Sequence, residues 1–144
     1  MIRAAQPEDA EHVRTLLREY ASALDVDLSF QDFKAEVADP LGFYELVLVT
    51  DDGCVGLRAV DDETCEMKRL YVRPTTRGTG LGRRLAEAVI AEARARGYAR
   101  MLLDTLPTMT AAHALYESLG FVTTTPYRHN PVVGTSFLEL DLGH

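Results

Sequence analysis

A mixed α/β fold, with a sheet flanked by helices, is what three features of the 144-residue sequence predict. Segments with helical and with strand-like spacing follow one another in the order β-α-α-β-β-β-α-β-α-β-β. Three apolar runs between residues 43 and 72 are joined by two short polar turns, the pattern of an antiparallel meander. A glycine-rich loop at 77–82 then separates a strand from a long helix. A chain of 144 residues suits one domain, 1–144, rather than two, and it can fold without disulfides or metal.

Residues 1–5 read as a short strand, and Gln6-Pro7-Glu8-Asp9 opens the first helix, where proline is tolerated and acids suit the positive end. Ala10, Val13, Leu17, Tyr20 and Leu24 recur on one helical face. Residues 25–29 break the pattern, and 30–38 form a second helix stopped by Asp39-Pro40. Tyr44, Leu46, Val47, Leu48 and Val49 begin the meander, whose other strands are 55–60 and 67–72. Its turns are Asp51-Asp52-Gly53 and residues 61–64, and counting back across the second pairs Val60 with Cys65. Alternation places Glu66, Lys68, Leu70 and Val72 on one face. Leu81, Leu85, Ala88, Val89 and Ala93 mark the long helix that Gly97 closes. Residues 101–104 form a strand, and the helix after it is capped by Thr108 or Thr110, turns Ala112, Leu115, Tyr116 and Leu119 inward, and ends at Gly120. Residues 121–125 are a strand and 126–134 a long loop. Leu138, Leu140 and Leu142 then alternate with Glu139 and Asp141 in the last strand.

Fifteen Lys and Arg against 22 Asp and Glu give a net charge of -7 and a pI near 5.0. Such a balance argues against gripping a nucleic acid backbone. No apolar run approaches the roughly 20 residues of a membrane span, so no membrane partner is expected. Cys54 and Cys65 form no CxxC pair and lie too far apart in the meander to bond; with no signal peptide in view, a reducing, cytoplasmic location is expected. His12, His113, His129 and His144 share no metal-ligand spacing, so no metal is expected, and His113 suits a helix surface.

In Arg77-Gly78-Thr79-Gly80-Leu81-Gly82, alternating glycines allow a ligand close to the backbone, and the helix start presents about half a positive charge. Arg77, Arg83 and Arg84 add formal charge, so a phosphate ligand is the natural expectation. A P-loop is excluded because no Gly-Lys-Ser/Thr follows. A dinucleotide fingerprint begun at Gly78 would need glycine at Arg83, and an antiparallel lead-in is wrong for it, although Asp104 imitates its ribose acid. On these residues alone, a connector that binds nothing stays open.

The loop does meet Arg/Gln-x-x-Gly-x-Gly/Ala at Arg77, Gly80 and Gly82. Taken with the strand Glu66-Met67-Lys68-Arg69-Leu70-Tyr71-Val72 and the later Ala111-Ala112-His113-Ala114-Leu115-Tyr116-Glu117-Ser118-Leu119-Gly120-Phe121, it makes the chain resemble the GNAT superfamily of N-acetyltransferases over essentially its whole length. The resemblance implies a mostly antiparallel sheet splayed between its fourth and fifth strands, with about four helices. It also implies acetyl-CoA as co-substrate without metal, and direct attack on the thioester by a primary amine of a small molecule or peptide. Backbone N–H groups of Arg77, Gly78, Thr79, Gly80, Leu81 and Gly82 would hold the pyrophosphate, with Arg83 close by. Leu70, Tyr71 and Val72 would pair with the pantetheine arm in the opening between 67–72 and 101–104.

Some family members carry a general base at the position of Glu66, eleven residues before Arg77. An alkyl ammonium of pKa about 10.4 is only about one part in two thousand neutral at pH 7, a penalty of about 4–5 kcal/mol. A carboxylate, directly or through water, can take that proton; alternatively Glu66 and Lys68 form a solvated ion pair. Tyr116 holds the tyrosine position of the family's Leu-Tyr-x-x-x-Gly-Phe segment, which implies a phenol that protonates the departing thiolate; such a tyrosine also serves as plain core. Met109 departs from the family, standing where many members carry an Asn that contacts the cofactor. The resemblance places Tyr127, Arg128 and His129 at the acceptor pocket, or simply in a loop. Asp25, Asp27 and Asp32 would attract an amine or lie in solvent, whereas Arg128 would suit an acceptor carboxylate. A non-catalytic CoA-binding or interaction module and a nucleotide-binding protein stay open as other classes. Many relatives are dimers, and the last strand offers an edge, so a homodimer is allowed.

Overall fold

The computed structural model describes residues 1–24, 33–128, 130 and 132–143. In chain order the elements are β1 (Arg3–Ala4), a 3-10 turn (Pro7–Asp9), α1 (Ala10–Leu24), α2 (Phe33–Ala38), α3 (Pro40–Phe43), β2 (Leu46–Thr50), β3 (Gly53–Ala59) and β4 (Thr64–Val72). A second 3-10 turn (Pro74–Thr76), α4 (Leu81–Ala95), β5 (Arg100–Thr105), α5 (Thr110–Ser118), β6 (Val122–Thr123) and β7 (Ser136–Asp141) follow. All seven strands join one sheet in the order β1-β2-β3-β4-β5-β7-β6. Neighbours are antiparallel except β4 and β5, which run parallel. No helix among the described residues is long and apolar enough to cross a membrane.

Local chemistry accounts for the element boundaries. Asp9 accepts from the Gln6 N–H at 2.8 Å and receives the Arg3 guanidinium, closing the entry to α1. Asp39-Pro40 ends α2 and also starts a helix: the Asp39 carboxylate accepts from Gly42 N–H at 3.2 Å, and proline occupies the first turn of α3. The second meander turn is held by Asp61, which accepts from the N–H groups of Glu63 and Thr64 at 2.9 and 2.8 Å. That turn includes Val60, so Cys65 pairs with Ala59 and not with Val60. The last strand in sequence is not an edge: β7 lies between β5 and β6, and the sheet ends at β1 and β6.

Both faces of the sheet are covered. On one, Leu85, Ala86, Val89, Ile90 and Ala93 of α4 and Tyr116 of α5 pack on Val55, Leu57, Cys65, Met67, Met101 and Leu103. On the other, Val13, Leu16 and Leu17 of α1 pack on Val47, Val49, Cys54 and Tyr71. The two cysteines therefore sit in different clusters on opposite faces, each buried and free.

β4 does not keep its alternation. Its register with β3 passes from Gly56↔Lys68 to Cys54↔Tyr71, so three steps on β4 face two on β3, and the extra residue is a bulge at Arg69. Arg69 has φ 59, a left-handed backbone that a non-glycine residue adopts at a cost of about 1–2 kcal/mol. The predicted shared face is thus split. Glu66 and Lys68 alternate with Cys65 and Met67 and face α1 and α2, whereas Leu70 and Val72 pack toward α4 and α5. The bulge is fixed by charge. Arg69 donates from Nε and Nη2 to Glu36 of α2 at 3.0 and 2.9 Å, with Arg69 at 6% and Glu36 at 0% exposure. Tyr44 donates to the same carboxylate, and the guanidinium lies over the rings of Tyr20 and Phe33.

Two outcomes are expected. Burial pushes both thiols up to about 12, so they stay protonated at pH 8. Ellman's reagent should leave the native protein unmodified and count two thiols per chain only after denaturation. Glu36→Ala leaves the Arg69 charge buried without its partner and should lower stability by about 3–5 kcal/mol in urea unfolding. Glu11→Ala, which breaks an exposed pair with Arg14, should change it little.

Candidate active site

The bulge bends β4 where it leaves β5. Pairing between them runs only through Thr64↔Arg100, Cys65↔Met101 and Glu66↔Leu102. Beyond that point β4 stays with β3 as far as Val72↔Gly53, and β5 stays with β7 as far as Thr105↔Ser136. The strands diverge, and each presents an edge of backbone N–H and C=O groups to the gap between them.

A groove of about 710 Å³ follows that gap. Its sides are Leu70, Tyr71 and Val72 of β4, the loop at Arg77, Gly78, Gly80, Leu81 and Gly82, and Ala111, Ala112 and Leu115 of α5, with Tyr20 and Leu24 of α1 above. Gly80, at φ 84, is the residue from which α4 starts, and its C=O accepts the first helical bond from Arg84 N–H at 3.1 Å. The N–H groups ahead of that bond have no partner within the helix, so this end of the groove is electropositive. Two arginines brace the loop, Arg77 donating to Val72 O and Arg84 to Thr79 O, each at 3.1 Å. An added Cβ at Gly82 would lie 3.8 Å from Val72 and 4.0 Å from Leu115, so bare backbone forms the groove floor there. An electropositive end, bare floor and unpaired strand edge fit a long ligand with phosphates at one end and amides along its arm.

At its inner end the groove continues into a smaller cavity, and Tyr20, Leu24, Leu70 and Met109 line both. Lys68, Arg69, Asp104, Tyr116 and Asn130 supply polar groups to that cavity. Burial holds the Tyr116 phenol above its usual range, with the nearby Tyr20 and Asp104 adding to it. Burial pulls the Lys68 ammonium down to about 8; Glu66 opposes that shift, while Arg69 and Arg128 reinforce it. Asn130 donates to Asp104 at 3.1 Å. Behind this cavity Glu66, 1% exposed, accepts from Tyr127 at 2.6 Å and from the Arg128 guanidinium through both oxygens, with Lys68 Nζ at 4.0 Å. Burial and the Glu66 charge hold the Tyr127 phenol protonated.

Comparison with known proteins places this architecture. Residues 10–121 match the family described as Acetyltransferase (GNAT) family. The chain belongs to that family. Like its relatives, this GNAT protein is an acyl-CoA-dependent N-acyltransferase. The uncharacterized N-acetyltransferase C1271.07c of Schizosaccharomyces pombe is 39% identical over 147 residues, which cover 94% of this chain and 90% of its own. Human N-acetylaspartate synthetase is 34% identical over 113 residues, 75% of this chain and 37% of its own length. Among solved structures, yncA of Salmonella typhimurium, determined with its cofactor acetyl-CoA, matches with a TM-score of 0.71 at 25% identity, covering 100% of this chain and 94% of its own.

Within the GNAT fold, most residues singled out in the sequence converge. Leu70, Tyr71, Val72, Arg77, Gly78, Gly80, Leu81 and Gly82 line the groove, and Tyr116 lines the inner cavity. Thr79 and Arg83 do not: Thr79 turns back to Thr76 O at 2.7 Å, and Arg83 reaches Ser118 at 2.6 Å. Tyr127 and Arg128 join Glu66 in a buried network, in place of a solvated Glu66–Lys68 pair. The α5 cap position falls on Met109, which offers no side-chain cap bond, and not on Thr108 or Thr110. His113 pairs with Glu117 at 2.8 Å along α5, as a helix-surface residue does. His129, Asp25, Asp27 and Asp32, and the start of the helix expected at residue 30, lie outside the described residues. Lys68 and Asp104 were legible as charged residues, but only the topology puts them across one cavity.

Gly82→Leu tests the groove. The new side chain meets no backbone clash and improves helix propensity by up to about 1 kcal/mol, so the melting temperature should hold or rise. The same side chain would fill the groove floor, and calorimetric titration with CoA should show binding lost or weakened at least about tenfold.

Proposed function

We propose that this GNAT protein moves an acetyl group from acetyl-CoA to a primary amine of a small molecule or peptide, by direct attack of the amine on the thioester, with Tyr116 as the acid. The observation that carries this is the continuity of the groove with the inner cavity: a phosphate-bearing ligand seated at the glycine loop would extend along β4 and end beside Tyr116. A thiol ester arriving there needs a proton for its leaving sulfur. Burial keeps the phenol in the form that can give one. A covalent acyl-enzyme finds no support, because Cys54 and Cys65 are buried in the two cores with their thiols pushed up to about 12.

The family resemblance suggests Glu66 as the base, with an ion pair to Lys68 as the other reading. Its carboxylate is wrapped by Arg128 and Tyr127, and it is not among the residues lining the inner cavity. In our reading it anchors the wall that carries Tyr127 and Arg128, and a proton would reach it only by way of Tyr127, Lys68 or water. The human relative is named for an N-acetylated amino acid, which supports an acceptor of that size here.

Thiol release from acetyl-CoA, measured across amines that include amino acids, polyamines and peptide N-termini, tests the reading. At least one acceptor should give turnover; binding of CoA without thiol release for any amine would make the chain a non-catalytic module. With the active acceptor, Tyr116→Phe should lower kcat by about 100-fold or more while leaving CoA affinity within about twofold. Wild-type turnover in that variant would make Tyr116 a packing residue.

A further inference from the structure

We infer that the turn at 106–109, through the side chains of Leu106 and Met109, gauges the acyl group, so that the site seats acetyl and excludes butyryl and longer chains. The inference rests on the placement of acetyl-CoA proposed above and assigns the donor specificity of that site.

A thioester that the groove delivers beside Tyr116 puts its acyl group in the inner cavity. That cavity holds about 30 Å³ of free space, room for about one or two groups the size of a water molecule. An acetyl group brings a methyl and a carbonyl oxygen, and the acceptor nitrogen has to reach the carbon between them. Every further methylene competes with that nitrogen or pushes a wall back.

The walls differ in how far they can yield. Met67, Leu103 and Tyr116 are at most 5% exposed and belong to the core under α4 and α5, so none of them can move without disturbing close packing. Lys68 and Asp104, the next residues on β4 and β5, turn to the other side of the sheet, where a growing apolar chain would meet charged groups. Among the described lining residues, Leu24, Leu106 and Met109 are apolar and belong to neither core cluster. Leu24 sits at the end of α1, whereas Leu106 and Met109 share one rigid turn. Met109 N–H donates to Leu106 O at 3.0 Å, and Met109 O accepts from His113 N–H at 3.0 Å, which ties the turn to the start of α5. Leu106 is 8% exposed without packing in either cluster, and Met109 borders both the groove and the cavity. These two side chains are therefore placed against what enters the cavity and not for holding helices to the sheet.

Calorimetric titration of the wild-type protein with CoA, acetyl-CoA, propionyl-CoA, butyryl-CoA and hexanoyl-CoA tests the inference without an acceptor. Acetyl-CoA should bind at least about tenfold more tightly than butyryl-CoA, with hexanoyl-CoA weaker still. With an amine that accepts acetyl, kcat/KM for thiol release should likewise fall about tenfold or more from acetyl-CoA to butyryl-CoA. Leu106→Ala and Met109→Ala each remove more of the wall than the two methylenes that separate butyryl from acetyl, and each should narrow the gap to about threefold or less. Equal affinity, or equal kcat/KM, from acetyl-CoA to hexanoyl-CoA would overturn the inference while leaving acyl transfer intact. An unchanged gap in both folded variants would overturn the assignment to this turn. Selective binding of acetyl-CoA without thiol release for any amine would strike the transfer reading and leave the gauge standing, and no binding of CoA or any acyl-CoA would strike both. The wild-type series needs no variant, so a misfolded substitution does not rescue the inference.

Discussion

The buried contact between Glu36 and Arg69 is the constraint on which the rest of the structure turns. A left-handed arginine in the middle of a strand is costly, and so are a guanidinium and a carboxylate withdrawn from water. Together they are tolerable, because the arginine has two donors on the carboxylate, aromatic rings on its faces and a tyrosine hydroxyl completing the acid's shell. Such a pair is worth less as net stability than as a selector of one conformation. Only with Arg69 turned toward α2 does β4 take its extra residue at this point and not slide to a regular register.

Both halves of the site follow from that extra residue. Before it, β4 sends Glu66 and Lys68 to the α1–α2 face; after it, Leu70 and Val72 go to the α4–α5 face. The strand also leaves β5 within a few residues of the bulge, so the gap, the groove and the inner cavity have a single origin. A regular strand would pair with β5 further along, bury the edge that a ligand amide can use, and turn Lys68 and Leu70 to the same side.

Periodicity made much of this legible. The stripe Val13, Leu17, Tyr20 found α1, the stripe Leu81, Leu85, Val89 found α4, and the glycine loop fell where α4 begins, because each is a local pattern read within one element. The errors are of another kind. Assigning Glu66, Lys68, Leu70 and Val72 to one face assumed strict alternation, and nothing near Arg69 in the sequence signals that its partner is Glu36, thirty-three positions earlier. Pairing Val60 with Cys65 assumed a turn one residue shorter than the one Asp61 builds. Taking β7 as an edge assumed that the last strand in sequence is last in space, whereas β6 packs outside it. Long-range pairing, strand order and bulges are set by tertiary contacts, and a single sequence carries them weakly.

The acidity of the chain can now be separated from the electrostatics of its site. A net charge of -7 describes the surface as a whole. Among the described residues around the inner cavity the charges balance: Lys68, Arg69 and Arg128 face Glu36, Glu66 and Asp104. Even balance matters because a buried excess of either sign would be relieved by shifting a proton, and the cavity would then present a different set of charges to each ligand. Lys68 shows how close to that limit the site works. Desolvation and two neighbouring guanidiniums bring it down to about 8, and Glu66 keeps it from going lower. If Glu66 were drawn away from the wall, Lys68 would lose one of the acids that support its charge, and Tyr127 and Arg128 would lose their common acceptor. The carboxylate that the family resemblance suggests as a base therefore has a sufficient physical reason to be there without moving a proton at all: it holds Tyr127 and Arg128 and helps keep Lys68 charged.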